Sequence, residues 1–185
     1  MIERVCLFVL FGFLSLSVAK AQVTNTWSPD NGNGTFTNPL MWGDWPDPDI
    51  IRVGDDFYFI STSMHYVPGC PIATSKDLVN WTMAGYAVER YDEDPRFDMK
   101  GGTMYLNGSW AATIRHHKGK FYVGFCTPKG WGREKGHFSI CIADSVQGPW
   151  ERTIFPEFLY DPGLFLMKMV RSTSCMGKGH SISRN

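Results

Sequence analysis

The sequence predicts an all-β protein, and three observations support this fold class. Two runs of β-favouring residues, Ile50–Val53 and Phe57–Ser61, are separated by the turn-forming stretch Gly54-Asp55-Asp56. A second pair of runs, Thr113–Arg115 and Lys120–Cys126, flanks another Gly-containing turn. No segment shows a convincing amphipathic helical period. Short strands joined by tight turns therefore dominate the expected structure.

These paired runs belong to a longer repeat. Ile51-Arg52, a turn and Phe57-Tyr58-Phe59 recur as Ile114-Arg115, a turn and Phe121-Tyr122-Val123. In each copy a further strand ends in a small residue, and a Trp follows. Equivalent positions of the two copies lie 63 to 70 residues apart. A recurring unit of four short strands is typical of β-propeller blades. A chance similarity between two β-meanders is the alternative explanation.

Composition narrows the class of partner. Hydrophobic residues make up 43% of the 185 residues, which is enough to bury a core. Lys plus Arg and Asp plus Glu both number 18, so the formal charge is zero and no nucleic-acid partner is expected. The seven Trp residues suit a carbohydrate site, although core packing explains any single Trp more simply.

The first residues have the pattern of an export signal. Arg4 precedes the apolar run Val5–Val18, and Ala19-Lys20-Ala21 gives a small-x-small cleavage pattern. The run is shorter than the roughly 20 residues of a spanning helix, although an uncleaved anchor is the alternative. We therefore expect a secreted or periplasmic protein without membrane contact after cleavage. Its segments are a signal peptide (1–21), a flexible leader (22–37) and a partial propeller domain (38–165).

Cysteine and histidine spacing predicts no metal and no cofactor. The four Cys that follow the signal lack a C-x-x-C spacing. Cys126 and Cys141 fall in neighbouring predicted strands, where buried thiols are favoured over a disulfide. His116 and His117 are adjacent on a strand, so their side chains point to opposite faces. The acidic stretch Asp92-Glu93-Asp94 is interpreted as a solvated loop, with a calcium site as the alternative.

Two Asp-Pro pairs carry the candidate chemistry. Asp47 lies between two prolines directly before a predicted strand, and Asp161-Pro162 repeats this arrangement where a third blade should start. Equivalent blade positions would place both carboxylates on the rim of one funnel. Glycoside hydrolysis uses such a pair. Asp-Pro is also a common turn dipeptide, which is the simpler reading of either pair alone.

Five motifs in order resemble glycoside hydrolase family 43 across residues 38–165. They are Asn38-Pro39, Asp47 to Tyr58, Ser75 to Trp81, Ser109-Trp110-Ala111-Ala112 and Asp161 to Phe165. The resemblance implies a five-bladed β-propeller, here truncated to about two blades and the start of a third. It also implies inverting hydrolysis of arabinose- or xylose-containing polysaccharides. By this likeness Asp47 is the general base, Asp161 is the carboxylate that raises the pKa of the acid, and Trp110 and His65 line the sugar pocket.

The general acid is absent from this pattern. In the family it is a Glu that follows the third Asp-Pro motif, whereas Glu151 and Glu157 both precede Asp161. The chain is therefore expected to be inactive by itself. A carbohydrate-binding propeller fragment without catalysis and a non-functional truncated product remain open alternatives.

Residues 166–185 depart from the family pattern, which continues with an acidic turn and a Gly. Codons read from the third base must give Glu at Met167-Lys168 and Gly at Met169-Val170, and they permit Asp-Glu-Asp-Gly overall. We therefore expect an out-of-frame tail, with a divergent terminus as the alternative. The nucleotide sequence around codon 166 tests this hypothesis.

Overall fold

A computed structural model describes residues 27–65, 67–129 and 136–166 in full, and 172–175 and 181–183 as strands. The predicted signal peptide lies outside the described residues. So does most of the predicted out-of-frame tail. Within the predicted leader, residues 27–37 form a turn closed by a bridge between Asp30 and Phe36.

Three antiparallel sheets make up the described part of the chain. Their strands are β1 (Asp49–Val53), β2 (Asp56–Ile60), β3 (Gly69–Ser75), β4 (Thr82–Val88), β5 (Trp110–His117), β6 (Lys120–Pro128), β7 (Gly136–Ala143), β8 (Glu151–Phe155), β9 (Gly163–Leu166), β10 (Ser172–Cys175) and β11 (Ser181–Ser183). Strands β1 to β4 form sheet 1, β5 to β8 form sheet 2, and β9 to β11 form sheet 3, each in sequence order. The predicted all-β class and its repeated four-stranded unit are confirmed.

Helical structure is minor. A single 3₁₀ turn, Pro95–Asp98, is the one helical element among the described residues. Asp94 caps it by accepting the backbone N–H of Arg96 at 3.0 Å. No helix in the described ranges is long and apolar enough to cross a membrane.

Local sequence explains the tight connections. The first hairpin turns at Gly54 (φ 62°), and the second at Lys118 and Gly119 (φ 49° and 78°), the left-handed backbone that such turns require. In the β3–β4 connection, the carboxylate of Asp77 accepts the N–H groups of Val79 and Asn80 at 2.9 and 2.7 Å. Hydrogen bonds from the Asn80 side chain and backbone hold the pKa of Asp77 below its usual range. The Ser75 to Trp81 motif therefore forms a turn.

The sheets pack face to face with their first strands together. Strand β5 lies beside β1 on one side and beside β9 on the other. Sheets 1 and 2 enclose the larger core, which includes Ile60, Ile72, Ile114, Val123 and Phe125, all fully buried. Sheets 2 and 3 enclose a smaller core of Phe138, Leu159 and Leu164. The starts of the three inner strands therefore meet at one end of the packed sheets.

The cysteines are buried thiols. Cys70, Cys126 and Cys141 are free and inaccessible. Cys126 pairs with Phe138 across β6 and β7, whereas Cys141 pairs with Val123, three residues earlier on β6. Side chains alternate along a strand, so Cys126 and Cys141 point to opposite faces of sheet 2. The favoured interpretation of buried thiols is confirmed for these three residues.

Asp49 joins sheets 1 and 2. Its Oδ2 accepts hydrogen bonds from the Thr113 hydroxyl (2.7 Å), the Ile114 N–H (3.0 Å) and the Arg115 guanidinium (2.6 Å). All three donors lie on β5, the inner strand of sheet 2. Asp49 is thus a structural carboxylate, only two residues from Asp47 in the same motif.

Replacing Asp49 by Asn should lower the free energy of unfolding by about 2 kcal/mol, because charge-assisted bonds to a partly buried carboxylate are lost. Asp55→Asn is the matched control, since Asp55 is 91% exposed in its ion pair with Arg52 and should change stability by less than about 0.5 kcal/mol. Urea unfolding measures both. Equal effects of the two substitutions would contradict the joining role of Asp49.

Candidate active site

Within two residues of the start of each sheet lies one residue in the left-handed backbone region. These residues are Asp47 (φ 48°), Ala111 (φ 41°) and Asp161 (φ 47°). A non-glycine residue there is uncommon, and the following proline disfavours it further at Asp47 and Asp161. Such strained positions cluster at functional sites. The two Asp-Pro pairs therefore share a positive φ at the Asp as well as a sequence, at the meeting point of the inner strands.

The carboxylate of Asp47 is exposed but tethered. Its Oδ2 accepts the hydroxyl of Thr62 at 3.0 Å. The same Thr62 oxygen accepts the backbone N–H of Ala111 at 2.9 Å. Thr62 is 3% exposed and follows the end of β2. A buried hydroxyl thus links the first candidate carboxylate to the inner strand of sheet 2.

Asp161 is also exposed and is supported from beneath by Cys126. The Cys126 sulfur accepts the backbone N–H of Asp161, and the thiol donates to the Trp110 carbonyl at 3.8 Å. Burial raises the pKa of Cys126 to about 12, and the negative charges of Asp161 and Asp47 add to this effect. Both candidate carboxylates therefore lie within electrostatic range of one buried atom.

Aromatic rings stand beside the carboxylates. Trp110 opens β5, and its indole N–H donates to the Leu106 carbonyl at 2.9 Å. Its ring meets that of Tyr160 edge to face, with centroids 6.5 Å apart. Tyr160 is 40% exposed and immediately precedes Asp161. Such a partly open aromatic pair suits contact with the apolar face of a sugar.

His65 lies on the loop after β2. Its ring packs against Tyr105 at 4.7 Å between centroids. It lines a cleft of about 330 Å³ that also includes Pro46 and Thr62, the neighbours of Asp47. The structure therefore brings Asp47, Asp161 and Trp110 together, and His65 shares a cleft with the neighbours of Asp47. The sugar-pocket role of His65 stays a prediction.

Glu93 corrects one expectation. The stretch Asp92-Glu93-Asp94 was expected to be a solvated loop, yet the Glu93 side chain is only 21% exposed and pairs with Arg152 at 2.7 Å and His137 at 3.2 Å. Burial opposes its charge, but the hydrogen bonds from His137 and Arg152 outweigh burial and lower the Glu93 pKa to about 2. Its partners His137 and Arg152 lie on sheet 2, far from Glu93 in the sequence. The sequence alone therefore does not reveal these contacts.

Comparison with known proteins decides the family. The family model described as glycosyl hydrolases family 43 matches residues 36–169. The chain belongs to this family. It is 35% identical to a β-xylosidase of Formosa agariphila over 82% of the chain, and 36% identical to the non-reducing end α-L-arabinofuranosidase BoGH43B of Bacteroides ovatus over 85%. The chain covers 25% and 27% of these relatives.

Solved family 43 structures share this fold. A bifunctional GH43-CE protein of Bacteroides eggerthii superimposes with a TM-score of 0.70 at 30% identity, over 80% of this chain and 20% of that one. GH43B of a Bacteroides ovatus xyloglucan locus gives a TM-score of 0.62 at 31% identity, over 80% and 29%. The family resemblance read from the motifs is confirmed, and the chain spans about a quarter of the relatives it matches.

Sequence reasoning missed two contributors near the carboxylates. Thr62 sits in Ser61-Thr62-Ser63, a hydroxyl cluster directly after an apolar strand, which is the signal that points to it. Cys126 was considered only for its redox chemistry. Its support of Asp161 depends on strand register, which the sequence does not reveal.

Proposed function

We propose that this chain supplies the base half of a glycosidase site that acts on arabinose- or xylose-containing polysaccharides. Asp47 is the general base that activates water, and Asp161 raises the pKa of the acid by like charge. The observation that carries the proposal is the pair of exposed aspartates, both with an unusual positive φ, at the starts of the inner strands that flank β5. The Trp110–Tyr160 pair forms one wall of the sugar site.

The full site belongs to a five-bladed propeller, of which the chain provides about two blades and the start of a third. Sheets 1 and 2 support this, since each is a four-stranded meander with its first strand innermost. Hydrolysis with inversion needs an acid about 6.5–9.5 Å from the base. Glu93 is paired with Arg152, and Glu151 and Glu157 precede Asp161, whereas the acid of the family pattern follows it. We therefore assign this role to none of these three residues. We therefore expect the 185-residue chain alone to hydrolyse such substrates negligibly.

A hybrid enzyme tests the proposal. Residues 38–165 replace the aligned segment of the Bacteroides ovatus arabinofuranosidase, which is 36% identical and of which this chain covers 27%. The hybrid should release nitrophenol from p-nitrophenyl α-L-arabinofuranoside and give the inverted sugar by NMR, whereas the 185-residue chain should release none. A hybrid that folds like its parent but shows no hydrolysis would refute the proposal. Hydrolysis by the 185-residue chain would refute its inactivity.

A further inference from the structure

We infer that Thr62 is a positioning residue that fixes the orientation of the Asp47 carboxylate. Its catalytic consequence rests on the proposed function, whereas the orientation itself can be measured without any activity. The inference starts from a hydroxyl that lies between a backbone donor and a carboxylate acceptor.

The direction of both hydrogen bonds is set by chemistry. The Ala111 N–H can only donate, so the Thr62 oxygen accepts it at 2.9 Å. The hydroxyl proton of Thr62 is then available for Asp47 Oδ2, which as a carboxylate oxygen can only accept, at 3.0 Å. This series of two hydrogen bonds runs from the inner strand of sheet 2 through Thr62 to the start of sheet 1. Asp47 is therefore aligned with respect to both sheets.

Thr62 is itself held firmly. Its N–H donates to the Pro46 carbonyl at 3.0 Å, and the neighbouring Ser61 hydroxyl donates to the same carbonyl at 2.7 Å. Because Pro46 immediately precedes Asp47, the backbone and the side chain of Asp47 are anchored to one short segment. Thr62 is 3% exposed, so bulk water has little access to its hydroxyl.

This arrangement suits a general base. One carboxylate oxygen is engaged by Thr62, which leaves the other oxygen to take the proton of a water molecule. A base held in one rotamer keeps that oxygen in productive geometry, and small displacements from such geometry reduce rate strongly. Thr62 does not contact the reacting atoms in this account. It acts through Asp47.

The chain offers a matched control in Thr113. Its hydroxyl donates to Asp49 Oδ2 at 2.7 Å, and Thr113 is 4% exposed. Thr113→Val therefore removes an equally buried hydroxyl from an aspartate that has a structural role. Thr62→Val removes the hydroxyl beside Asp47 at nearly constant volume, and Thr62→Ser keeps it.

The first test measures the Asp47 χ1 rotamer by three-bond couplings to its side-chain carboxyl carbon in the 185-residue protein. One rotamer is expected in the wild type, Thr62→Ser and Thr113→Val, and averaging between rotamers is expected in Thr62→Val. If Thr62→Val does not fold, Thr62→Ala gives the same comparison with more space. A single Asp47 rotamer without the Thr62 hydroxyl would overturn the inference.

The second test uses the hybrid enzyme. Thr62→Val should lower kcat about tenfold with KM unchanged, and Thr62→Ser should restore it. An unchanged kcat alongside an averaged rotamer would overturn the catalytic consequence. If the unsubstituted hybrid is inactive, the proposed function fails, while the rotamer measurement still decides whether Thr62 orients Asp47.

Discussion

Replacing Asp47 by Ala in the hybrid enzyme is expected to lower kcat/KM by about 10³-fold, within the range that general base catalysis contributes. Water attacking the sugar must lose a proton, and Asp47 is the carboxylate placed to accept it. Its carboxylate is exposed at the meeting point of the inner strands and is tethered only through Thr62 among the hydrogen bonds described for it. Loss of the base should therefore affect kcat much more than KM.

Azide distinguishes loss of the base from general damage to the site. The azide ion attacks the anomeric carbon while the bond to nitrophenolate breaks, and it needs no base because it carries no proton to remove. Azide should therefore raise nitrophenol release by Asp47→Ala and yield the glycosyl azide of inverted configuration. Asp49→Asn is the control within the same motif, and its folded fraction should keep near-normal activity. Asp47→Ala with more than a tenth of normal activity would contradict the assignment.

Periodic and turn-encoded features explain why much of the fold was predictable. The repeat around Ile51 and Ile114 fixed the order of strands in sheets 1 and 2, because local alternation and Gly-containing turns define hairpins without long-range information. Three of the four predicted runs fell within the observed strands, and the fourth, Phe57–Ser61, ran one residue past the end of β2 at Ile60. Some strands also extend farther than predicted, as β6 does to Pro128. Backbone pairing, which the side-chain pattern does not encode, sets those ends.

Only those site residues that belong to a sequence motif could be predicted. Asp47, Asp161 and Trp110 stand out because each lies in a motif at the start of an inner strand. The roles of Thr62 and Glu93 depend on contacts across 49 and 59 residues of sequence. Asp49 shows the same limit, since nothing in Asp47-Pro48-Asp49 tells which carboxylate faces sheet 2. Only the packed sheets separate the structural carboxylate from the exposed one.

Glu93→Gln should lower the free energy of unfolding by about 2 kcal/mol, less than the roughly 3–5 kcal/mol for breaking a fully buried ion pair. The guanidinium of Arg152 makes two contacts with Glu93, at 2.7 and 3.2 Å, and its side chain is only 14% exposed. Gln matches the shape of Glu but lacks its charge. The positive charge of Arg152, packed over the Tyr91 and Phe125 rings, then loses its counter-ion.

The pH dependence of stability provides a second measurement of this pair. The Glu93 pKa falls from its ordinary 4.5 to about 2 on folding. A carboxylate with a lowered folded-state pKa stabilises the protein above the unfolded-state pKa, and this contribution disappears as pH falls through the folded-state value. The stability gap between wild type and Glu93→Gln should therefore be full above pH 4.5 and shrink towards pH 2. A gap that stays constant across this range would contradict the role of the charge.

Glu89→Gln is the matched control, since Glu89 is an exposed residue of the same connection between β4 and β5 and should change stability by less than about 0.5 kcal/mol. The effect of Glu93 should also extend toward the candidate site, because this connection supplies the Leu106 carbonyl that holds the Trp110 indole. Hydrogen exchange across residues 89–109 should accelerate in Glu93→Gln and stay unchanged in Glu89→Gln. Unaltered exchange in both would mean that Glu93 contributes to stability without fixing the aromatic wall beside Asp47 and Asp161.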